Sequence, residues 1–176
     1  MSDGDGPPVM NREELLEFAA RVEACVEDDQ WQVASTMINY ARKVGAVTKG
    51  EAAALSRTLD KARRFGLSTV PLAIALELGR RIVPGLMGRG MAITGPSDAF
   101  PTDFAKRWSV KFDGVRLGLA CTLSLAVAAA ICRAAATERD RAVAAEFLRQ
   151  RRLVSAEVAA LRSRLARPAN DQNDSG

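Results

Sequence analysis

The sequence predicts an all-α protein: a compact helical bundle around a central apolar helix at about 114–134, with a C-terminal amphipathic, Arg-rich helix. Three observations carry this expectation. Apolar residues recur at i, i+3, i+4 and i+7 through most of the chain. Residues suited to starting and stopping helices bracket those segments. No stretch of useful length alternates apolar and polar side chains as a half-buried strand would.

The elements follow in order. Residues 1–10 are rich in Gly, Pro and Asp, the composition of a disordered N-terminus. Asn11 suits an N-cap, and Glu13 and Glu14 fall in a first turn where the helix dipole favours acids. Leu15, Phe18, Ala19, Val22 and Val26 then form one apolar stripe, so a helix is expected over roughly 12–27. Asp28-Asp29 ends it and suits the cap of the next. A second stripe, Trp31, Ala34, Met37, Ile38 and Ala41, runs to about Val44, and Gly45 suits its C-terminal stop. Thr48-Lys-Gly-Glu51 has the capping-box spacing and opens a third helix that Gly66 closes. Ser68 is placed to cap a fourth, with Pro71 in its first turn, where a missing N–H costs little. Pro84-Gly85 ends that pattern. Residues 84–103 hold four Gly and three Pro and read as one long loop within a helical domain spanning 11–136. The central apolar helix follows, then the C-terminal helix at 137–167 and a disordered tail at 168–176. The count expected is six or seven helices.

Composition narrows the chemistry. The chain has 176 residues and is 48% apolar and 26% charged, enough for one self-sufficient core. Aromatics are 5%, so that core must be built mostly from Leu, Ile, Val and Ala. There is no histidine, which removes Ser-His and Cys-His nucleophile pairs, His metal sites and the commonest general base near neutral pH. Three cysteines, Cys25, Cys121 and Cys132, form no CxxC pair. They read as free thiols of a reducing compartment, and the acidic start lacks a signal peptide's order, so a cytoplasmic setting is expected. No catalytic, cofactor-binding or metal-ligating constellation emerges. A non-enzymatic protein is therefore expected. An enzymatic alternative would rest on Asp98, Asp103 or Lys106 near the long loop, by location alone.

Charge is segregated. Residues 1–30 carry nine acids against two arginines, whereas 31–132 carry fourteen cations against six acids and 133–167 nine arginines against four acids. An acidic end facing a basic body can pair within one chain or between neighbours. Between neighbours such a contact is heterologous and builds rings or filaments.

The stretch Gly114–Arg133 is the most apolar. Its sixteen uncharged residues, 117–132, would span about 24 Å as a helix, against about 30 Å of hydrocarbon. Six Leu, Val and Ile residues favour insertion by only about 2–3.5 kcal/mol. A membrane-inserted 114–134 is thus the minority reading. Two ladders of small residues at i, i+4 (Gly114, Gly118, Thr122, Ala126, Ala130, Ala134; and Ala120, Ser124, Ala128, Cys132, Ala136) argue instead for close helix packing.

Residues 58–78 resemble a helix-turn-helix, with Ala62, Gly66, Leu67, Leu72 and Ala75 at the small, turn and core positions. The groove-facing positions would be Ser68, Thr69, Val70, Ala73 and Ile74, which offer almost nothing to a base edge. The segment therefore reads as a helical hairpin in the core.

The C-terminal helix carries the candidate site. Ala144, Phe147, Arg151, Val154, Val158, Leu161 and Leu165 alternate by three and four, a heptad seam that Arg151 interrupts. Self-association is assigned to Phe147, Val154, Val158, Leu161 and Leu165. Phosphate contacts are assigned to Arg149, Arg151, Arg152, Arg162 and Arg164. No stacking aromatic accompanies those arginines. The function expected is a structural or interaction protein that forms homo-oligomers through helical surfaces. The alternatives are a nucleic-acid-binding structural protein of nucleocapsid or coat type and a membrane-associated helical protein.

Overall fold

Capping chemistry sets the first helices. In the computed structural model, which describes residues 10–96 and 107–165, α1 spans Arg12–Ala24. The Asn11 side chain accepts from the Glu14 amide at 3.0 Å, and the Glu14 carboxylate accepts from the Asn11 amide at 2.7 Å. Helix α2 spans Gln30–Lys43 after a 3-10 turn at Glu27–Asp29. Asp29 stands at its N-cap but makes no capping bond there; its carboxylate accepts from the Val26 amide instead. Gly45 stops α2 with φ 74°, which glycine adopts without a Cβ penalty.

Thr48 and Glu51 form the expected capping box of α3, Lys49–Arg64. Glu51 also accepts from Arg81 of α4, Thr69–Ile82, at 2.8 Å. That guanidinium and the Thr48 bonds hold the Glu51 carboxyl down at about 2. Ser68 occupies the N-cap of α4, as expected, but its side chain makes no capping bond. A 3-10 turn follows at Leu86–Gly88.

The rest of the chain corrects the all-α expectation. Residues Ala92–Thr94 (β1), Trp108–Phe112 (β2) and Val115–Ala120 (β3) form an antiparallel sheet in the order β1-β2-β3. So the expected loop at 84–103 holds a strand, and the expected helix at 114–134 begins as one. The cause is local. Asp113 and Gly114 both have positive φ, 51° and 76°, the two-residue reversal that matches the twist of a hairpin. Trp108, Val110 and Phe112 alternate with polar neighbours, and Val110 and Phe112 are buried. The chain then turns at Cys121-Thr122, where the Thr122 hydroxyl accepts from the Leu125 amide at 3.3 Å. Helix α5 starts there and spans Leu123–Leu165.

The first part of α5 is the buried centre that composition anticipated. Leu125–Cys132 and Ala134–Ala136 are all buried, against Leu15, Ala19 and Val22 of α1, Val33, Met37 and Ile38 of α2, and Ile74, Ala75 and Leu78 of α4 in one core. The small-residue ladder does permit a close approach, though of strand to helix rather than helix to helix. A Cβ on Gly118 of β3 would lie 1.9 Å from the Ala126 carbonyl oxygen and 3.2 Å from the Ala130 Cβ. Ser124 and Gln30, the buried polar residues here, satisfy each other at 2.9 Å.

The α3–α4 pair is the expected helical hairpin. Ala62, Ala75 and also Ile74, one of the positions a groove-reading helix would present, are buried. Among the described residues no helix is long and apolar enough to cross a membrane. The chain divides into two units, Met1–Glu138 and Arg139–Gly176. Residues 1–9, 168–176, Asp98, Asp103 and Lys106 lie outside the described residues, whereas Met10 packs against the core rather than belonging to a disordered start.

Candidate functional site

In the second unit, α5 continues with residues of high helix propensity: Ala, Arg, Leu and Glu dominate 139–165, with no Gly or Pro. Every described side chain from Asp140 to Ser163 is exposed. The predicted seam is therefore bare: Phe147 is 63% exposed, Val154 60%, Val158 43% and Leu161 55%. Leu165 lies in α5, but its side chain, like that of Arg164, is outside what is described. At 100° per residue Phe147, Val154, Val158 and Leu161 fall within one narrow stripe, with Arg151 inside it.

The predicted arginines do not form one cluster. Arg149 and Arg152 lie across the helix from the seam, and Arg162 flanks it. Arg149 is engaged: its Nε and Nη2 donate to Glu146 at 2.8 and 2.9 Å, and Gln150 donates to the same carboxylate. These bonds hold the Glu146 carboxyl below its usual range. Arg151, Arg152 and Arg162 make no ion pair through their side chains. A shallow groove of about 380 Å³ runs between Leu148, Leu153, Arg149 and Arg152 on this helix. Leu148 and Leu153 are exposed and stand off the seam, so the apolar surface is wider than the heptad spacing indicates.

The first unit holds a polar cleft of about 300 Å³ lined by Glu27, Gln30, Ser68, Thr69, Thr122 and Cys121, among others. The Cys121 thiol donates to the Cys25 carbonyl at 3.2 Å. Burial, then the neighbouring Asp29, raises the Cys25 thiol above its ordinary value. Hydroxyls of Ser68, Thr69 and Thr122 and the Glu27 carboxylate give the cleft polar groups to bind with. Among the described residues no cluster of acids and thiols is arranged to hold a metal.

Sequence reasoning missed one functional-looking arrangement, the Glu23–Arg133 pair. Arg133 Nη2 donates to Glu23 Oε2 at 2.8 Å, and Nη1 donates to the other carboxylate oxygen and, at 2.6 Å, to the Leu117 carbonyl. The same carboxylate accepts from the Leu119 amide at 2.9 Å. Of the acidic N-terminal segment's described residues, Glu23 is the one that meets the basic body in this way. Glu13, Glu17, Glu27 and Asp28 make no ion pair. The missed signal was positional: Arg133 interrupts an otherwise apolar helix, and a lone cation there needs a partner.

No family model, curated protein or solved structure matches the chain.

Proposed function

We propose that the chain is a non-enzymatic structural protein that self-associates through the 139–165 part of α5. The exposed heptad seam carries this reading. Phe147, Val154, Val158 and Leu161 are each more than two-fifths exposed, and apolar side chains at that spacing gain stability when a second helix covers them. The free acids of α1 and the free arginines of α5 add a salt-sensitive component between neighbouring copies.

Size-exclusion chromatography with multi-angle scattering tests it. The wild-type chain is expected to elute as an oligomer whose mass falls on dilution. Val158→Asp with Leu161→Asp is expected to give a monomer with unchanged helical circular dichroism. A wild-type monomer at all concentrations and salts would sink the proposal.

A second reading, nucleic-acid contact, is favoured by Arg151, Arg152 and Arg162, which are exposed and without carboxylate partners. Its mark is binding that weakens steeply with salt and ignores sequence. Nuclease treatment before the scattering run separates it from self-association, because mass lost with the nucleic acid belongs to this reading.

A further inference from the structure

The most exposed large apolar side chain described is not on α5. It is Phe65, 69% exposed, at the C-cap of α3. Its backbone is held firmly. The Leu67 amide donates to the Ala62 carbonyl at 2.9 Å and the Gly66 amide to the Arg63 carbonyl at 3.2 Å, with Gly66 at φ 65°. This is a Schellman termination, whose usual apolar contact joins Leu67 to the last helical turn and does not involve the Phe65 ring. Here the ring stays in water.

Its surroundings are cationic. Arg57, Lys61 and Arg64 repeat at i, i+4 and i+7, so they share the helix face that leads to Phe65. With Asp60 and the Phe65 ring they line an open groove of about 470 Å³. None of Arg57, Lys61 or Arg64 makes an ion pair or a side-chain hydrogen bond. Nearby Glu51 and Glu77, by contrast, are both taken up by Arg81.

We propose that this groove binds single-stranded nucleic acid, with a base stacked on Phe65 and the phosphate backbone along Arg57, Lys61 and Arg64. The site is separate from the α5 arginines considered above. The pairing of features selects the ligand. An acidic polypeptide satisfies the cations and leaves the ring in water. A duplex supplies phosphates, but its bases are already stacked and cannot reach a ring at the end of a helix. A single strand uses both features at once: every base has a face to stack, and its phosphates track a charged groove. Nothing in the groove reads base edges, so binding tolerates sequence.

Fluorescence anisotropy with the full-length chain tests this, using a labelled oligo-dT, a duplex of equal length and polyglutamate as competitor. Phe65→Ala is expected to weaken oligo-dT binding roughly tenfold with the salt slope unchanged, since it removes only a stack. Arg57→Gln with Lys61→Gln and Arg64→Gln is expected to flatten the slope of log affinity against log salt by about 2, at about 0.7 per phosphate contact. Phe65→Leu, which keeps an apolar side chain without a ring, is expected to match Phe65→Ala. All these positions are exposed, so circular dichroism should match wild type. Equal binding by wild type and Phe65→Ala overturns the proposal. So does equal affinity for duplex and single strand, or competition by polyglutamate as strong as by unlabelled oligo-dT.

Discussion

At the scale of single residues, Gly118 shows how one position decides a local fold. Its backbone passes so near α5 that any side chain meets the Ala126 carbonyl, 1.9 Å from an ideal Cβ. The contact is with backbone, which cannot swing aside. Gly118→Ala is therefore expected to destabilise by about 3 kcal/mol, the upper range for forcing volume into a packed interior. Gly50→Ala is the control: it sits in α3 with nothing within 4 Å, and is expected to leave stability unchanged or raise it by up to about 1 kcal/mol. Urea unfolding midpoints at constant m-value decide the matter; similar midpoints for the two variants would refute the close approach. The cysteines give a second residue-scale prediction. Burial pushes the Cys132 thiol up to about 12, whereas Cys121 is exposed. Because the thiolate is the reactive form, Cys121 should react with an aromatic disulfide reagent in the native protein and Cys132 only on unfolding. Reaction of Cys132 as fast as Cys121 without denaturant would contradict the buried placement of α5.

Elements bring in interactions that no residue shows alone. Strand β3 is the edge of its sheet, and an open edge leaves amide and carbonyl groups without partners. The Leu119 amide and Leu117 carbonyl are those groups. Glu23 from α1 and Arg133 from α5 satisfy them with the two ends of one ion pair. The register shift opposite Val110 and Lys111 makes this closure more important, because it frees a residue of β3 from its pairing. Arg133→Met removes the donor to Leu117 and leaves Glu23 partly buried without its cation. A loss of about 2–3 kcal/mol is expected. Hydrogen exchange locates the effect: the Leu119 amide should lose protection in Arg133→Met before the amides of α2 do. Unchanged protection at Leu119 would mean that the pair is incidental to the edge.

This element was also the least readable from sequence, and the reason is physical. Helix boundaries at Asn11, Gly45, Thr48 and Gly66 were legible because caps and left-handed glycines are local chemistry. The sheet was not, because the end of β3 from Leu117 and the start of α5 form one uncharged run, 117–132, and a short apolar run fits a strand or a buried helix equally. Spacing by four in Gly114, Gly118 and Thr122 reinforced the helical reading, although glycine at 118 serves a strand crossing over a helix. The signal that distinguishes them was Phe112-Asp113-Gly114-Val115, an Asp-Gly reversal between apolar residues. The exposed apolar stripe of α5 was legible at Phe147, Val154, Val158 and Leu161 because helical spacing needs no tertiary context. Phe65 was not, since an aromatic next to Gly66 reads as an ordinary helix end until its exposure is known.

At the scale of the whole chain, burial divides near residue 138, far from the change of charge after residue 30. All the described buried residues lie at or before Ala136, whereas the described side chains from Asp140 to Ser163 are exposed. Stability of the first unit therefore should not depend on the second within one copy of the chain. It should depend on it between copies, because an interface that binds only folded chains raises stability with concentration. A chain ending at Glu138 is expected to keep its α1–α4 circular dichroism and to unfold at a temperature independent of concentration. The full chain is expected to unfold at a temperature that rises with concentration, and that rise should vanish in Val158→Asp with Leu161→Asp. Salt would separate the two components of the proposed assembly. Screening would weaken the proposed contacts between the free acids of α1 and the arginines of a neighbour, while apolar packing along the proposed seam would persist. If the concentration dependence disappears at high salt but survives the two seam substitutions, charge rather than the heptad holds the copies together, and the seam has another partner. If it disappears with the seam and persists in salt, the helix is the interface, and the acidic end is left to set how copies approach rather than whether they stay.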